Sequence, residues 1–229
     1  MLIAIVLLGT VAAFRQPWQP RLEVLRAGGK GPPTLMLLHG YGSSAAEWLP
    51  FTKTMAFPAE GRFLFPQAPE KIGRKDGALD GRAWWDLDLA AHRRREKMGA
   101  DLTHEDPRGL ARAGRLVRRT LDREGNSHEH PFILGGFSQG TMVSCEVAFN
   151  SNQPLAALVL LSGTYVESTG WRERMAKRKG LKVFMAHGRS DRVLPFDIAE
   201  RLRSDLVAAG LEVTFVPFDG GHEISAQVV

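Results

Sequence analysis

Short apolar runs closed by glycine or proline alternate along most of the chain with longer stretches of helical apolar spacing. Leu22 to Leu25 reads as an edge strand that ends at Ala27-Gly28-Gly29. Leu35-Met36-Leu37-Leu38 is an unbroken apolar run stopped by His39-Gly40. A run without polar alternation suits a strand covered on both faces. Ser43 or Ser44 offers a cap for a helix from Ala45 to Met55, with Glu47 placed for a capping box. Arg62-Phe63-Leu64-Phe65 is the next strand, ended by Pro66.

Further along, Arg108 to Arg123 predicts a helix with Leu110, Ala113, Val117 and Leu121 on one stripe. Phe132-Ile133-Leu134 predicts a buried strand and Thr141 to Phe149 a helix. Leu155 to Leu161 is the most apolar run in the body of the chain. Trp171 to Lys179 reads as a polar helix and Lys182 to Ala186 as a strand. Phe196 to Ala209 reads as a helix begun at Pro195, and Glu212 to Val216 as a last strand. There is no internal repeat and no linker-like stretch. The expected architecture is one α/β domain over residues 19–229, with a mostly parallel central sheet and helices on both faces.

Two regions break this rhythm. Residues 67–107 are rich in Gly, Pro, Asp and Arg and carry Trp84-Trp85. They are too long for a plain connection. They are expected to form loops bordering a site, with a short helix near His92 to Met98. At the start, Leu2 to Phe14 is an apolar run shorter than the ~20 residues a membrane helix needs, and of signal-peptide length. Val11-Ala12-Ala13 offers small residues for cleavage, but no basic residue precedes the run. One expectation is an exported or envelope-associated protein, with a signal peptide or anchor in residues 1–18. The other is a cytoplasmic protein whose first residues pack as a helix. Membrane association is expected through this segment only.

At 229 residues, 44% hydrophobic and 24% charged, the chain has ordinary globular usage. It is long enough to bury a core without staples, and Cys145 is its only cysteine, which excludes an internal disulfide framework or a Cys-cluster metal site. The formal net charge is +5. The basic clusters (Arg93-Arg94-Arg95; Arg115, Arg118 and Arg119; Lys177-Arg178-Lys179) are scattered and lack a nucleic-acid recognition motif. They are read as solvated surface, with no nucleic-acid partner expected.

The strongest local signal is Gly136-Phe137-Ser138-Gln139-Gly140, a G-x-S-x-G between a predicted strand and a predicted helix. A sharp turn there lifts the Ser138 hydroxyl above the carboxyl edge of the sheet, where open α/β sheets bind ligands. The bland alternative is a glycine-rich turn that packs or cradles a phosphate. Gly135, Gly136 and Gly140 do not space as G-x-G-x-x-G, and no G-K-[ST] follows.

A serine hydroxyl needs a base, and the base needs an orienting acid. In the chain order Ser, Asp, His, both belong on loops after later strands. Asp191 follows the Lys182–Ala186 strand and His222 follows the Glu212–Val216 strand. Of the seven histidines, His92, His104, His128 and His130 fall in polar loops, and His187 is read as structural. Asp219 sits on the His222 loop and reads as a turn residue, while Asp86 and Asp88 precede the serine and read as loop residues. The third requirement is an oxyanion hole. Its donors are expected to be the backbone N–H of Gln139 and that of Tyr41, in the loop His39-Gly40-Tyr41-Gly42.

With these pieces assembled, the chain resembles the phospholipase/carboxylesterase family of α/β-hydrolases, which includes acyl-protein thioesterases. The matching stretches are LLHGYG (residues 37–42), FLFPQAP (63–69), GRAWWD (81–86), GGFSQG (135–140), LLSG (160–163), His187-Gly188 with Asp191 and Pro195, and Gly221-His222. The resemblance implies the α/β-hydrolase fold and a serine esterase acting on small-molecule carboxylic esters without cofactor or metal. Thioesters or lysophospholipids are further substrates of the same chemistry. The catalytic set it implies is Ser138, Asp191 and His222, with Tyr41 and Gln139 as oxyanion donors and Trp84 and Trp85 bordering the substrate pocket. The stretch after His222 is short for the family's terminal helix, and Ala91 to Pro107 looks enlarged and basic. An inactive α/β-hydrolase-fold binding protein is the alternative.

Overall fold

The computed structural model describes residues 21–72, 81–87, 99–105, 108–166 and 168–228. Its strands are β1 (Val24–Gly28), β2 (Gly31–Leu38), β3 (Gly61–Pro66), β4 (Glu70–Ile72), β5 (Gly81–Ala83), β6 (Phe132–Phe137), β7 (Leu155–Leu161), β8 (Lys182–Gly188) and β9 (Glu212–Phe218). The α-helices are α1 (Arg108–Glu124), α2 (Gln139–Phe149), α3 (Ser168–Met175) and α4 (Phe196–Ala208). The main sheet has seven strands in the order β1-β3-β2-β6-β7-β8-β9. Only β1 runs antiparallel to its neighbour, with Leu25 opposite Phe65.

The unbroken apolar runs are explained by what covers them. Along β2, Met36 and Leu38 join one core cluster while Leu35 and Leu37 join another. The same division recurs on β8, where Val183 and Met185 face the first cluster and Ala186 the second. Both faces of the sheet are therefore dry, and an alternating polar pattern would have placed unpaired polar groups inside. The predicted stripe of α1 holds, since Leu110, Ala113, Val117 and Leu121 are all buried in the first cluster. Helix α2 is buried along its whole length.

Three local expectations change. Residues 45–55 form two 3-10 turns, Ala45–Trp48 and Pro50–Lys53, instead of one α-helix. Pro50 stands at the head of the second turn and lacks the N–H that a continuous helix would use. No capping box forms: Ser44 makes no side-chain cap, and the Ala45 N–H instead donates to Gln67 Oε1 at 2.8 Å. The helix expected from Trp171 begins at Ser168, ends at Met175 and passes into a 3-10 turn, Ala176–Arg178. Its one large aromatic anchors it, because Trp171 is buried and its indole donates to Glu146 Oε2 at 3.1 Å. Arg178 in the last basic cluster donates to the carbonyl of Ala148 in the last turn of α2 and to those of Ser151 and Gln153 in the loop after it. The helix expected near His92 to Met98 and the whole of residues 1–18 lie outside the described residues. Strands β4 and β5, a small antiparallel pair, were not apparent in the sequence pattern.

Candidate active site

Strand β6 ends at Phe137, Ser138 turns the chain, and Gln139 opens α2. Ser138 has φ 54° and ψ −118°, a conformation that costs a non-glycine residue about 1–3 kcal/mol. The surroundings enforce it. A Cβ at Gly136 would lie 2.6 Å from the carbonyl carbon of Gly140 and 2.6 Å from the Leu38 oxygen. A Cβ at Gly140 would collide with that same Leu38 oxygen. The turn is pinned by Ser138 N–H donating to Leu161 O at 2.9 Å and by Thr141 Oγ1 donating to Gly136 O at 2.7 Å.

The three residues expected to act together are brought together. His222 Nε2 lies 2.9 Å from Ser138 Oγ, and His222 Nδ1 lies 2.7 Å from Asp191 Oδ2. A carboxylate beside Nδ1 places the proton on that nitrogen and leaves Nε2 to accept from the serine hydroxyl. Asp191 is buried, and its Oδ1 accepts the Val193 and Leu194 amides at 2.8 and 2.9 Å. Burial alone would raise its pKa. Hydrogen bonds from the His187 and His222 imidazoles, the attraction of His222 and the Leu194 amide outweigh burial, and hold the carboxyl well below the usual carboxylate range.

The two loops that carry Asp191 and His222 interlock. Arg189 N–H donates to Phe218 O and Ser190 N–H to Gly220 O, each at 2.9 Å. A Cβ at Gly188 would strike the Gly221 carbonyl, so this crossing requires glycine. Asp219 points fully into solvent, 4.0 Å from Arg189. His104, His128, His130 and Asp86 are exposed, whereas Asp88 and His92 lie outside the described residues.

The loop after β2 lies against the elbow. A Cβ at Gly40 would approach Ser138 Cβ at 3.3 Å, which sets Tyr41 beside the hydroxyl's surroundings. Gln139 is the first residue of α2, and the first amides of a helix have no intrahelical acceptor. The His39 ring is buried under the loop: Nδ1 donates to Gly40 O at 2.8 Å and Nε2 accepts the Ala68 N–H at 3.1 Å. That pair of contacts needs a neutral ring. Burial lowers its pKa to about 4, with the Gly40 hydrogen bond opposing and Arg82 assisting.

Beside Ser138 opens a cavity of about 360 Å³. Trp48, Phe51, Phe137 and Ile224 form its apolar wall, and Glu47 and Glu223 stand at its exposed edge. Trp84 and Trp85 are not among the residues that line this cavity. Both indoles are buried, because the Gln139 side chain holds their backbone: Gln139 Oε1 accepts Trp84 N–H and Nε2 donates to Trp85 O, each at 2.9 Å.

The sequence profile of the phospholipase/carboxylesterase family matches residues 20–229. The chain belongs to that family. Acyl-protein thioesterase 1 of Mycosarcoma maydis is 27% identical over 215 residues, covering 83% of each chain. Acyl-protein thioesterase 1 of Cryptococcus neoformans is 28% identical over 174 residues, covering 73% of this chain and 70% of the relative. Among solved structures, esterase PE8 superposes with a TM-score of 0.74 at 24% identity, covering 91% of this chain and 94% of the other. These likenesses fix the α/β-hydrolase fold, and membership of the family makes the chain a serine hydrolase of the esterase type.

Sequence reasoning missed four residues around this site. Ser162 has φ 43°, is fully buried, and its hydroxyl donates to Glu223 O at 2.9 Å, tethering the residue next to His222. The Leu160-Leu161-Ser162-Gly163 stretch was its only signal. Trp48 and Phe51 were hidden by the expectation of a regular helix, and Ile224 belongs to no motif.

Proposed function

We propose that the protein hydrolyses carboxylic esters through an acyl-enzyme on Ser138. The carrying observation is the continuous hydrogen-bonded chain from Ser138 Oγ through His222 to Asp191. Ser138 Oγ attacks the acyl carbonyl as its proton passes to His222 Nε2. Asp191, kept ionised by its four donors, stabilises the resulting imidazolium. The Tyr41 and Gln139 amides hold the oxyanion, each such donor contributing about 3–4 kcal/mol in the transition state. His222 then protonates the leaving alcohol. Water, deprotonated by the same imidazole, releases the acid.

The apolar cavity supports an uncharged acyl or alcohol portion next to the nucleophile. The similarity to proteins called acyl-protein thioesterase extends the proposal to thioesters, whose thiol leaves by the same steps. The test is a fluorophosphonate probe with peptide mapping, followed by turnover on esters and thioesters of increasing chain length. A single adduct on Ser138 is expected, and Ser138→Ala should lower kcat on the order of 10⁴-fold or more with the fold intact. A label on another serine, or near-normal turnover by the variant, overturns the assignment.

A further inference from the structure

The Asp191 carboxylate lies beside a second imidazole. His187, the next-to-last residue of β8, brings Nε2 within 3.2 Å of Asp191 Oδ2, the same oxygen that faces His222. Among the described residues the hydrogen-bond partner of that nitrogen is Leu194 O at 3.0 Å. Both neighbours are acceptors, so Nε2 carries its proton between them, with Leu194 O as hydrogen-bond partner and the Asp191 Oδ2 charge 3.2 Å away, and the neutral ring suffices for this. His187 is 2% exposed and the Asp191 side chain is closed to solvent, so water has no room to replace the donor.

We propose that His187 is a positioning residue that fixes the rotation of the Asp191 carboxylate and takes up part of the charge on Oδ2. The inference rests on the esterase reading of Ser138, His222 and Asp191. Oδ1 is already held by two backbone amides of the acid loop. Oδ2 is held by His222, which sits on a separate loop, and by His187, which is anchored in the sheet. Among the described residues, His187 is therefore the group that sets this oxygen against a rigid element. The remaining groups packed here are the Phe196 ring, 6.0 Å from the His187 ring, and the exposed Arg189 and Arg192 of the loop, with Arg189 over Phe196 at 5.4 Å. The His187 imidazole is one of the groups that hold the Asp191 carboxyl low.

The sharing has a definite sign. With His187 present, Oδ2 divides its charge between two donors. Without it, the full charge faces His222, its imidazolium is favoured, and the proton must be removed at higher pH. The loosened carboxylate also orients His222 less well, which lowers kcat. The ester cavity does not include His187, so KM should stay nearly constant.

The experiment compares His187→Leu, which deletes the donor, with His187→Gln, whose amide nitrogen reaches the place of Nε2. The Leu variant should lose about ten- to a hundredfold in kcat, keep KM within about twofold, and shift the acid limb of its pH profile to higher pH. The Gln variant should bring the limb back and recover most of kcat. A folded Leu variant with unchanged kcat and limb overturns the proposal, as does a Gln variant no better than Leu. Should the Leu variant fail to fold, the wild-type protein decides through ring-nitrogen shifts of ¹⁵N-labelled histidine. A neutral His187 protonated at Nε2 is expected; protonation at Nδ1 alone, or at both nitrogens, overturns it. This measurement needs no turnover, so it stays separate from failure of the esterase reading, which would show as an unlabelled Ser138.

Discussion

The indole Nε1 of Trp84 donates to the backbone oxygen of His39 at 2.8 Å, joining the loop after β5 to the loop that carries Tyr41. Three links follow one another here: Gln139 holds the Trp84 backbone, the Trp84 indole holds His39, and the His39 ring holds Gly40 and Ala68. The side chain of Gln139 thus braces the loop whose Tyr41 amide is proposed to work beside Gln139's own amide. Electrostatic catalysis depends on donors fixed before the charge develops, and this chain of contacts fixes them.

Trp84→Phe tests the brace. The ring's volume is largely kept, but the buried His39 carbonyl loses its donor. An unsatisfied buried acceptor costs about 1–3 kcal/mol, so the urea midpoint should fall. Loosening of the Tyr41 loop should lower kcat about tenfold while KM for a short ester changes little. Equilibrium unfolding together with steady-state kinetics checks both. A variant with lower stability but full kcat would show that the brace supports the fold alone.

The His39 ring predicts a pH dependence of stability. Its ordinary pKa of 6.5 is lowered to about 4 by burial. Above the ordinary value the ring is neutral in both folded and unfolded chains and contributes no dependence. Between 6.5 and 4 the unfolded chain binds the proton and the folded one does not, so stability falls as pH falls. Over that window the loss approaches about 3 kcal/mol. Asp191, whose pKa is depressed, adds its own loss only at more acidic pH, where an unfolded carboxyl starts to protonate. Urea titrations at several pH values should show this slope, and His39→Asn, which cannot titrate, should flatten it between pH 6.5 and 4. An equally steep slope in the variant would refute the assignment to His39.

How far the sequence revealed these relationships depended on their range. The apolar runs at Leu35–Leu38 and Leu155–Leu161 announced buried strands because covering both faces leaves no polar position free. The elbow was legible because Gly136 and Gly140 must be glycine for chain crossings that local sequence already implies. Asp191 and His222 followed from chain order and strand ends. What stayed hidden was set by contacts distant in sequence. The burial of Trp84 and Trp85 depends on Gln139, far along the chain, which holds their backbone. Ala45 to Met55 has helical apolar spacing, yet Pro50 and the Gln67 side chain divide and cap it differently. The second role of His187 needs the position of Leu194 O and Asp191 Oδ2, which no pattern along the strand encodes.

Ser162 tests how the histidine loop is held. Its hydroxyl donates to Glu223 O while its backbone sits at φ 43°. Ser162→Gly removes the hydrogen bond but relieves the backbone, whereas Ser162→Ala removes the bond and keeps the strain. Alanine should therefore be the less stable of the two by about 1 kcal/mol. Both should lose kcat to a similar extent, because both free the residue next to His222. Thermal melts beside turnover separate the two effects. Equal stabilities would place no strain at this position, and unchanged kcat in both variants would remove Ser162 from the support of His222.

The cavity beside Ser138 sets the last expectation. Its apolar wall of Trp48, Phe51, Phe137 and Ile224 should reward each methylene that enters it. Burial of one methylene contributes about 0.8 kcal/mol, which is roughly fourfold in kcat/KM per added carbon. The rise should stop once the chain outgrows a volume of about 360 Å³. Phe51 is half-buried at this wall, so Phe51→Trp should bring the plateau to a shorter acyl chain and Phe51→Ala should postpone it. Neither change touches Ser138, His222 or Asp191, so turnover of an acetyl ester should stay within a few fold of wild type. A series of esters from two to twelve or so carbons, measured for all three proteins, reads the plateau directly. A chain-length profile that is flat, or that ignores both substitutions, would show that the acyl group lies elsewhere than against Phe51.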